Sequence, residues 1–331
     1  MRKKWLWALP LVLLALYLAG PSPSKPLYSL KMPTPPVDGR QLESWIAGQE
    51  ATHHLKPDNE ARIVWTNDSL KAPTEYAIVY LHGFSASQKE GDPIHRQIAS
   101  RFDCNLYLSR LAEHGIDSTD QLLLLTPEAY WASAKQALAI GGRLGKKVIL
   151  MGTSTGGTLA LQLAAAFPDK VDALILLSPN IAINDPFAWI LNDPWGLQVA
   201  RLVKGGNYFT SADNRPIYRQ YWNNSYQLEA LVSLEELLET TMDKSHFQQV
   251  KQPVLLLYYY RDGIHQDSTV KVSAMLTMFD QLGTPGSLKR KAVFPLAGDH
   301  VLGSPIKSHD VGGVEKSIDS FMAEVLGLPR K

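Results

Sequence analysis

The stretch from Lys147 to Phe167 constrains the fold more than any other part of the chain. Lys147 to Met151 is a strand pattern with no polar position after Lys147. Gly152-Thr153-Ser154-Thr155-Gly156 follows, and Thr155 to Phe167 reads as a helix with Pro168 just past its end. An apolar strand of this kind is buried on both faces, which places it inside a parallel sheet with helices above and below. A strand that runs straight into a helix through a glycine-flanked turn then fixes one crossover of that sheet.

The same alternation extends along the chain. Strand patterns are expected at 61–66, 75–81, 104–108, 147–151, 172–177, 253–260 and 289–295. Helices are expected at 41–50, 93–102, 127–144, 155–167, 269–281 and 311–326. Together they predict an α/β architecture, a mostly parallel central sheet with helices on both faces. The alternation lapses between Asn180 and Pro253. Residues 181–250 therefore form an insertion, with 38–180 and 251–331 as the core. The insertion holds ten aromatic residues and is richer in them than the chain's 9%. It is expected to be a helical cap that roofs an apolar pocket. Leu228, Leu231, Leu234, Leu238 and Met242 fall at helical spacing and read as the cap's own core.

The charge balance, 33 Lys+Arg against 32 Asp+Glu, argues against a nucleic-acid-binding surface over the whole protein. The single cysteine, Cys104, rules out an intrachain disulfide and any cysteine-based metal cluster.

Gly152 to Gly156 is a G-x-S-x-G motif in the strand–turn–helix setting that a nucleophilic serine requires. A serine hydroxyl is a weak nucleophile and needs a base. His300, in Ala297-Gly298-Asp299-His300, lies in the loop before the final helix, at the carboxyl end of the sheet. An acid to orient it is expected between the two in sequence, after the penultimate strand. Asp262 and Asp267 are both available. Asp267 is favoured, because it stands just ahead of a helix and no glycine near Tyr259-Tyr260 lets Asp262 swing inward. A plain helix-capping role for Asp267 is the competing reading. Two backbone amides should hold the oxyanion. They are assigned to Thr155, at the start of the helix, and Phe84, in His82-Gly83-Phe84-Ser85. His82 is read as a buttress of that loop. Asp299, His300, His309, Asp310 and His53-His54 can all ligate metals, but none has metal-site spacing on a helix, so neither metal nor cofactor is expected.

On these residues the chain resembles the α/β-hydrolase superfamily over roughly residues 60–330. Within it, the chain is most similar to the serine esterase, monoacylglycerol lipase and lysophospholipase-like group. The resemblance implies a cap inserted after the sixth strand and cofactor-free hydrolysis of carboxylic esters, such as acylglycerol-like, lysophospholipid-like or other apolar acyl esters. It also implies structural roles for His114 and Gly115. An acyltransferase or thioesterase on the same residues, or an inactive binding protein of the same fold, are the alternatives.

The amino terminus opens Met-Arg-Lys-Lys and continues as an apolar run to Ala19. This is the layout of an export signal or an uncleaved anchor across residues 1–20, with the bulk of the chain on the exported side. The expected partners are thus a membrane, through this segment, and a small ester. Residues 21–37 hold six prolines and are expected to be an extended linker.

Overall fold

The computed structural model describes residues 5–331. The basic residues Arg2, Lys3 and Lys4 of the expected export segment lie outside the described residues. The chain begins with α1 (Trp5–Leu18) and α2 (Gly39–Glu50). It then enters the core through β1 (Arg62–Val64), β2 (Thr74–Leu81), α3 (Ile94–Arg101), β3 (Asn105–Leu108) and α4 (Pro127–Leu144). β4 (Gly145–Thr153), α5 (Thr155–Ala166) and β5 (Ala173–Leu177) follow. The insertion contains α6 (Gly196–Lys204), β6 (Tyr208–Thr210), α7 (Pro216–Tyr221), β7 (Ser225–Gln227), α8 (Glu229–Thr241) and α9 (Lys244–Gln249). β8 (Val254–Tyr258), α10 (Val272–Gln281), β9 (Lys289–Val293) and α11 (Val311–Glu324) complete the fold.

The sheet has seven strands in the order β1-β3-β2-β4-β5-β8-β9. Only β1 runs antiparallel to its neighbour. Successive side chains of the central strands point to opposite faces, and both faces are apolar. Val79, Leu150, Leu176 and Leu256 pack with α4, α5 and α10 on one side. Ile78, Met151, Ile175 and Leu257 pack with α3 and α11 on the other. This double burial is why these strands read as continuous apolar runs. β9 is an edge strand and carries Lys289, Arg290 and Lys291, which discourage pairing with another chain.

The insertion leaves the sheet after β5, the fifth strand in chain order rather than the expected sixth. Only β1 precedes the parallel strands, so the count falls one short. The insertion is also not wholly helical. β6 and β7 pair as an antiparallel ribbon, Tyr208 to Thr210 against Ser225 to Gln227, too short for a period-two pattern to register. Phe247 of α9 packs into the core beside α5, so the last helix of the insertion belongs to the sheet's cover.

The proline-rich segment expected as an extended linker makes hydrogen bonds with α4. Trp131 Nε1 and Lys135 Nζ donate to Ser29 O, Lys135 also to Lys31 O, and Arg143 to Pro35 O. The proline-rich strand is thus strapped along α4. α1 has 14 residues, about 21 Å of helix against about 30 Å of bilayer core. Among the described residues no helix is long and apolar enough to cross a membrane.

The junction from β4 to α5 is held by close backbone contact. A Cβ on Gly156 would lie 1.9 Å from Leu81 O at the end of β2, and one on Gly152 would lie 2.5 Å from the Gly156 carbonyl. Backbone cannot yield as a flexible side chain can. Gly156→Ala should therefore destabilise the fold by about 1–3 kcal/mol or more, read as a lowered thermal midpoint. An unchanged midpoint would show that the turn relaxes freely.

Candidate active site

Ser154 occupies the tip of the β4–α5 turn with φ 52° and ψ −120°, a conformation that L-residues rarely adopt. The strain is held from several directions. Its amide donates to Leu177 O (2.9 Å), and its carbonyl accepts from Gly157, Thr158 and Asn180. The side chain lines a cavity of about 400 Å³ between the sheet and the cap.

His300 lines the same cavity. Its Nδ1 pairs with Asp267 Oδ2 at 2.6 Å, while its Nε2 is buried with no hydrogen-bond partner among the described residues. Burial works against the imidazolium, but the charge and hydrogen bond of Asp267, with Glu90 and Asp299 beyond, outweigh it and raise the His300 pKa above its ordinary value. Asp267 is itself fully buried. Its other oxygen accepts from Thr269 N (2.9 Å) and Val270 N (3.0 Å). It therefore both caps a turn and orients the histidine, two roles that the sequence presents as alternatives. α10 starts at Val272 rather than Thr269, because these amides are turned toward the carboxylate.

Asp262 lies elsewhere. It is exposed, accepts from the amides of Ile264 and His265, and pairs with the His265 ring at 3.0 Å. The His265 amide and ring and the Ile264 amide hold its carboxyl down at about 2. It is not brought to His300, because residues 260–266 turn back on themselves through the Tyr260–Gln266 bridge.

In the loop after β2, Gly83 N donates to Glu90 Oε2 (2.6 Å) and Ser85 N to His114 Nε2 (3.0 Å). The Phe84 amide has no acceptor among the described residues. No side chain caps α5, so the Thr155 amide is also open. The two amides assigned to the oxyanion are thus both unengaged. His82 is fully buried, pairs through Nδ1 with Gly83 O and accepts from Leu111 N at Nε2. Burial pushes its pKa down to about 4, as for a neutral brace. His114 packs against it with ring centroids 4.9 Å apart and is likewise held neutral by burial.

The cap side of the cavity is aromatic in part. Phe209, Tyr218, Trp222 and Tyr226 line it, with Leu231 and Leu234. Those two leucines therefore face the cavity as well as the cap interior. Phe187 and Trp189 point to solvent instead. The wall also has a polar part, through Ser211, Asn223, Gln266, Asp299 and Lys307. Lys307 pairs with Asp299 at 3.4 Å. Sequence reasoning missed this polar side and missed Glu90, a buried carboxyl in the cavity wall. No local signal in Gln88-Lys89-Glu90 marks the carboxyl as buried. Among the described residues no three His, Cys, Asp or Glu side chains cluster as metal ligands.

Comparison with known proteins places the fold. A family model for the alpha/beta hydrolase fold matches residues 76–304. A pimeloyl-[acyl-carrier protein] methyl ester esterase of Nitrosomonas europaea is 24% identical over 215 residues, 56% of this chain and 77% of that protein. Among solved structures, one reported with LipS and LipT, two metagenome-derived lipolytic enzymes, superposes with a TM-score of 0.63 at 14% identity, covering 82% of this chain and all of that one. A monoacylglycerol lipase of Paleococcus ferrophilus does so at 0.52 and 15% identity, over 78% and 98%. With the family model spanning more than half of its length, and the seven-stranded sheet and serine turn in place, this chain belongs to the alpha/beta hydrolase family.

Proposed function

We propose that the protein is a serine hydrolase that cleaves carboxylic esters through an acyl-enzyme on Ser154. The observation that carries the reading is the His300–Asp267 pair, whose Nε2 is buried with no partner among the described residues, in a histidine that lines the same cavity as Ser154. In this reading Ser154 Oγ attacks the ester carbonyl and passes its proton to His300 Nε2. The Phe84 and Thr155 amides hold the oxyanion. His300 returns the proton to the leaving alcohol, then takes one from a water as that water attacks the acyl carbonyl, and passes it to Ser154 Oγ as the bond to the serine breaks and the acid leaves. Asp267 keeps the Nδ1 proton in place, so that Nε2 is the basic nitrogen.

The half-aromatic, half-polar wall suits an ester with an apolar acyl part and a polar alcohol part, in the acylglycerol-like or lysophospholipid-like class. The names of the similar proteins, esterases and lipases, support ester cleavage as the reaction class.

For the amino terminus we propose an export signal or anchor that places the hydrolase on the exported side of a membrane. Leu9, Leu11, Leu13, Leu16 and Leu18 of α1 are all more than half exposed. A helix apolar all round is a poor surface helix in water and a good one in lipid. Its length of 14 residues matches the apolar segment of a signal.

Ser154→Ala should abolish both ester hydrolysis and labelling by a fluorophosphonate while leaving the thermal midpoint near wild type. Asp267→Asn should lower kcat by about 10⁴, the size of effect seen when a histidine loses its orienting acid, and Asp262→Asn should be nearly silent. Labelling that persists in the alanine variant would move the nucleophile elsewhere.

The second test is pH. His300 must be neutral to accept the proton, and its pKa is raised, so kcat/KM should climb through an apparent pKa above about 6.5. Asp267→Asn should move the His300 titration, followed by NMR, downward. A downward shift is required, because removing the anion leaves burial as the dominant influence. The third test is location. Full-length protein should sediment with membranes or appear exported with a shortened amino terminus. Recovery only in the soluble cell fraction with Met1 intact would rule this out.

A further inference from the structure

Glu90 is a buried ionisable group of the cavity that the proposed chemistry leaves without a role. It sits in the short turn Gln88–Gly91 between two parts of the site. Its side chain reaches the oxyanion loop, where Oε2 accepts the Gly83 amide at 2.6 Å. Its backbone packs on the loop beyond His300, where a Cβ on Gly303 would lie 2.9 Å from Glu90 O. Both carboxyl oxygens and Ser154 Cβ lie within 3.0 Å of the point where a Gly83 Cβ would stand. The carboxyl is therefore a direct neighbour of the nucleophile's turn, and Gly83 is the residue that leaves room for it. It is 2% exposed and lines the cavity.

The groups facing it come from every element around it. Tyr80 of β2, Tyr130 of α4 and Tyr218 of the cap feel its charge, as do His300 and Asp299 of the histidine loop. Among these, only His300 is a cation when protonated. Burial raises the Glu90 pKa most, the Gly83 amide and His300 oppose it, and the group settles near about 7. The two groups act on each other, the His300 cation lowering the Glu90 pKa and the Glu90 charge raising that of His300.

Resting on the assignment of Ser154 as nucleophile, we propose that Glu90 is a positioning residue: its carboxylate clamps the Gly83 amide, so that the next amide, that of Phe84, is held pointing at the oxyanion. The ionised form is the working one for two reasons. A charge-assisted N–H···O⁻ bond is short and roughly twice as strong as a neutral one, which fits the 2.6 Å contact. A carboxylate here also favours the imidazolium that forms on His300 as the serine attacks. A negative charge near the oxyanion works against the step, but the imidazolium arises at the same moment with the opposite sign and offsets it. Full turnover then takes two deprotonations, of Glu90 and of His300, and the charge of each bears on the titration of the other.

The test is the pH dependence of p-nitrophenyl acetate hydrolysis and of fluorophosphonate labelling, in the wild type, Glu90→Gln and Glu90→Ala, with thermal midpoints recorded for each. The wild type should show an acid limb steeper than one proton over about the one pH unit in which Glu90 titrates, because its neutral form is the slower one. Glu90→Gln keeps an oxygen for the Gly83 amide but cannot ionise. It should turn over about tenfold more slowly, with a limb of slope one. Glu90→Ala should lose about 10²–10³ in kcat, the scale of a lost oxyanion donor, with little change in KM. A one-proton limb that is the same in wild type and Glu90→Gln, or an alanine variant with unimpaired kcat, would overturn the role of Glu90 while leaving labelling of Ser154 intact. A wild type that is neither labelled at Ser154 nor active on the ester would overturn the serine assignment itself, and this inference with it.

Discussion

The strained backbone at Ser154 is the constraint on which the rest of the site depends. A residue at φ 52° and ψ −120° costs on the order of 1–3 kcal/mol, and nothing local to the turn offsets that. The compensation comes from the sheet. β4 is paired with β2 and β5 over most of its length, and Leu177 O and the Asn180 amide grip the turn from the neighbouring strand's end. The glycines at 152 and 156 let α5 press against Leu81 O closely enough for these contacts to form. The serine is thereby presented on a rigid corner, and the loops after β2, β8 and β9 need only be aimed at it.

Each of those loops is fixed by buried polar groups rather than by its own chain stiffness. The loop after β2 rests on neutral His82 and His114 and on the Glu90 carboxyl. The loop after β8 is turned by the Asp267 carboxylate, which takes two amides and the imidazole at once. Such networks are worth most when every member is satisfied. His300 Nε2, the nitrogen that the proposed chemistry uses, is among the polar atoms here left buried without a partner among the described residues, together with Thr155 Oγ1 and Asn180 Oδ1.

This division explains what was legible in the sequence. Buried parallel strands write themselves as unbroken apolar runs, so β2, β4, β5 and β8 are recoverable to within a residue or two. The turn at Ser154 is recoverable because only glycine tolerates the approach at 152 and 156. The choice between Asp262 and Asp267 is not settled by pattern. Both precede amides that they can cap, and both do so. What separates them is the five-residue excursion from Asp262 to Gln266, which folds back on itself and carries Asp262 into solvent. Glu90 is invisible for a related reason. Its burial comes from loops contributed by residues 83 and 303, far apart in sequence, and a short turn carries no periodicity to reveal which way a carboxyl points.

The cap follows a different logic from the core. Its ribbon and short helices have too few residues to hold themselves, and they are held by the site. Lys56 Nζ donates to Arg219 O, Trp222 O and Asn223 Oδ1, the Asn223 amide donates to Ser85 O, and Tyr221 and Trp222 pack with Ala86 and Val301. Three of these partners, Ser85, Ala86 and Val301, lie within two residues of Phe84 or His300. The roof is thus attached to the loops that would hold the oxyanion and the base. A substrate that shifts Trp222 or Tyr218 would act directly on the loop carrying the Phe84 amide. In the proposed reading, binding of the alcohol part at the polar wall and alignment of the oxyanion donors are then mechanically one event. The cap can therefore select for substrate through turnover as well as through affinity.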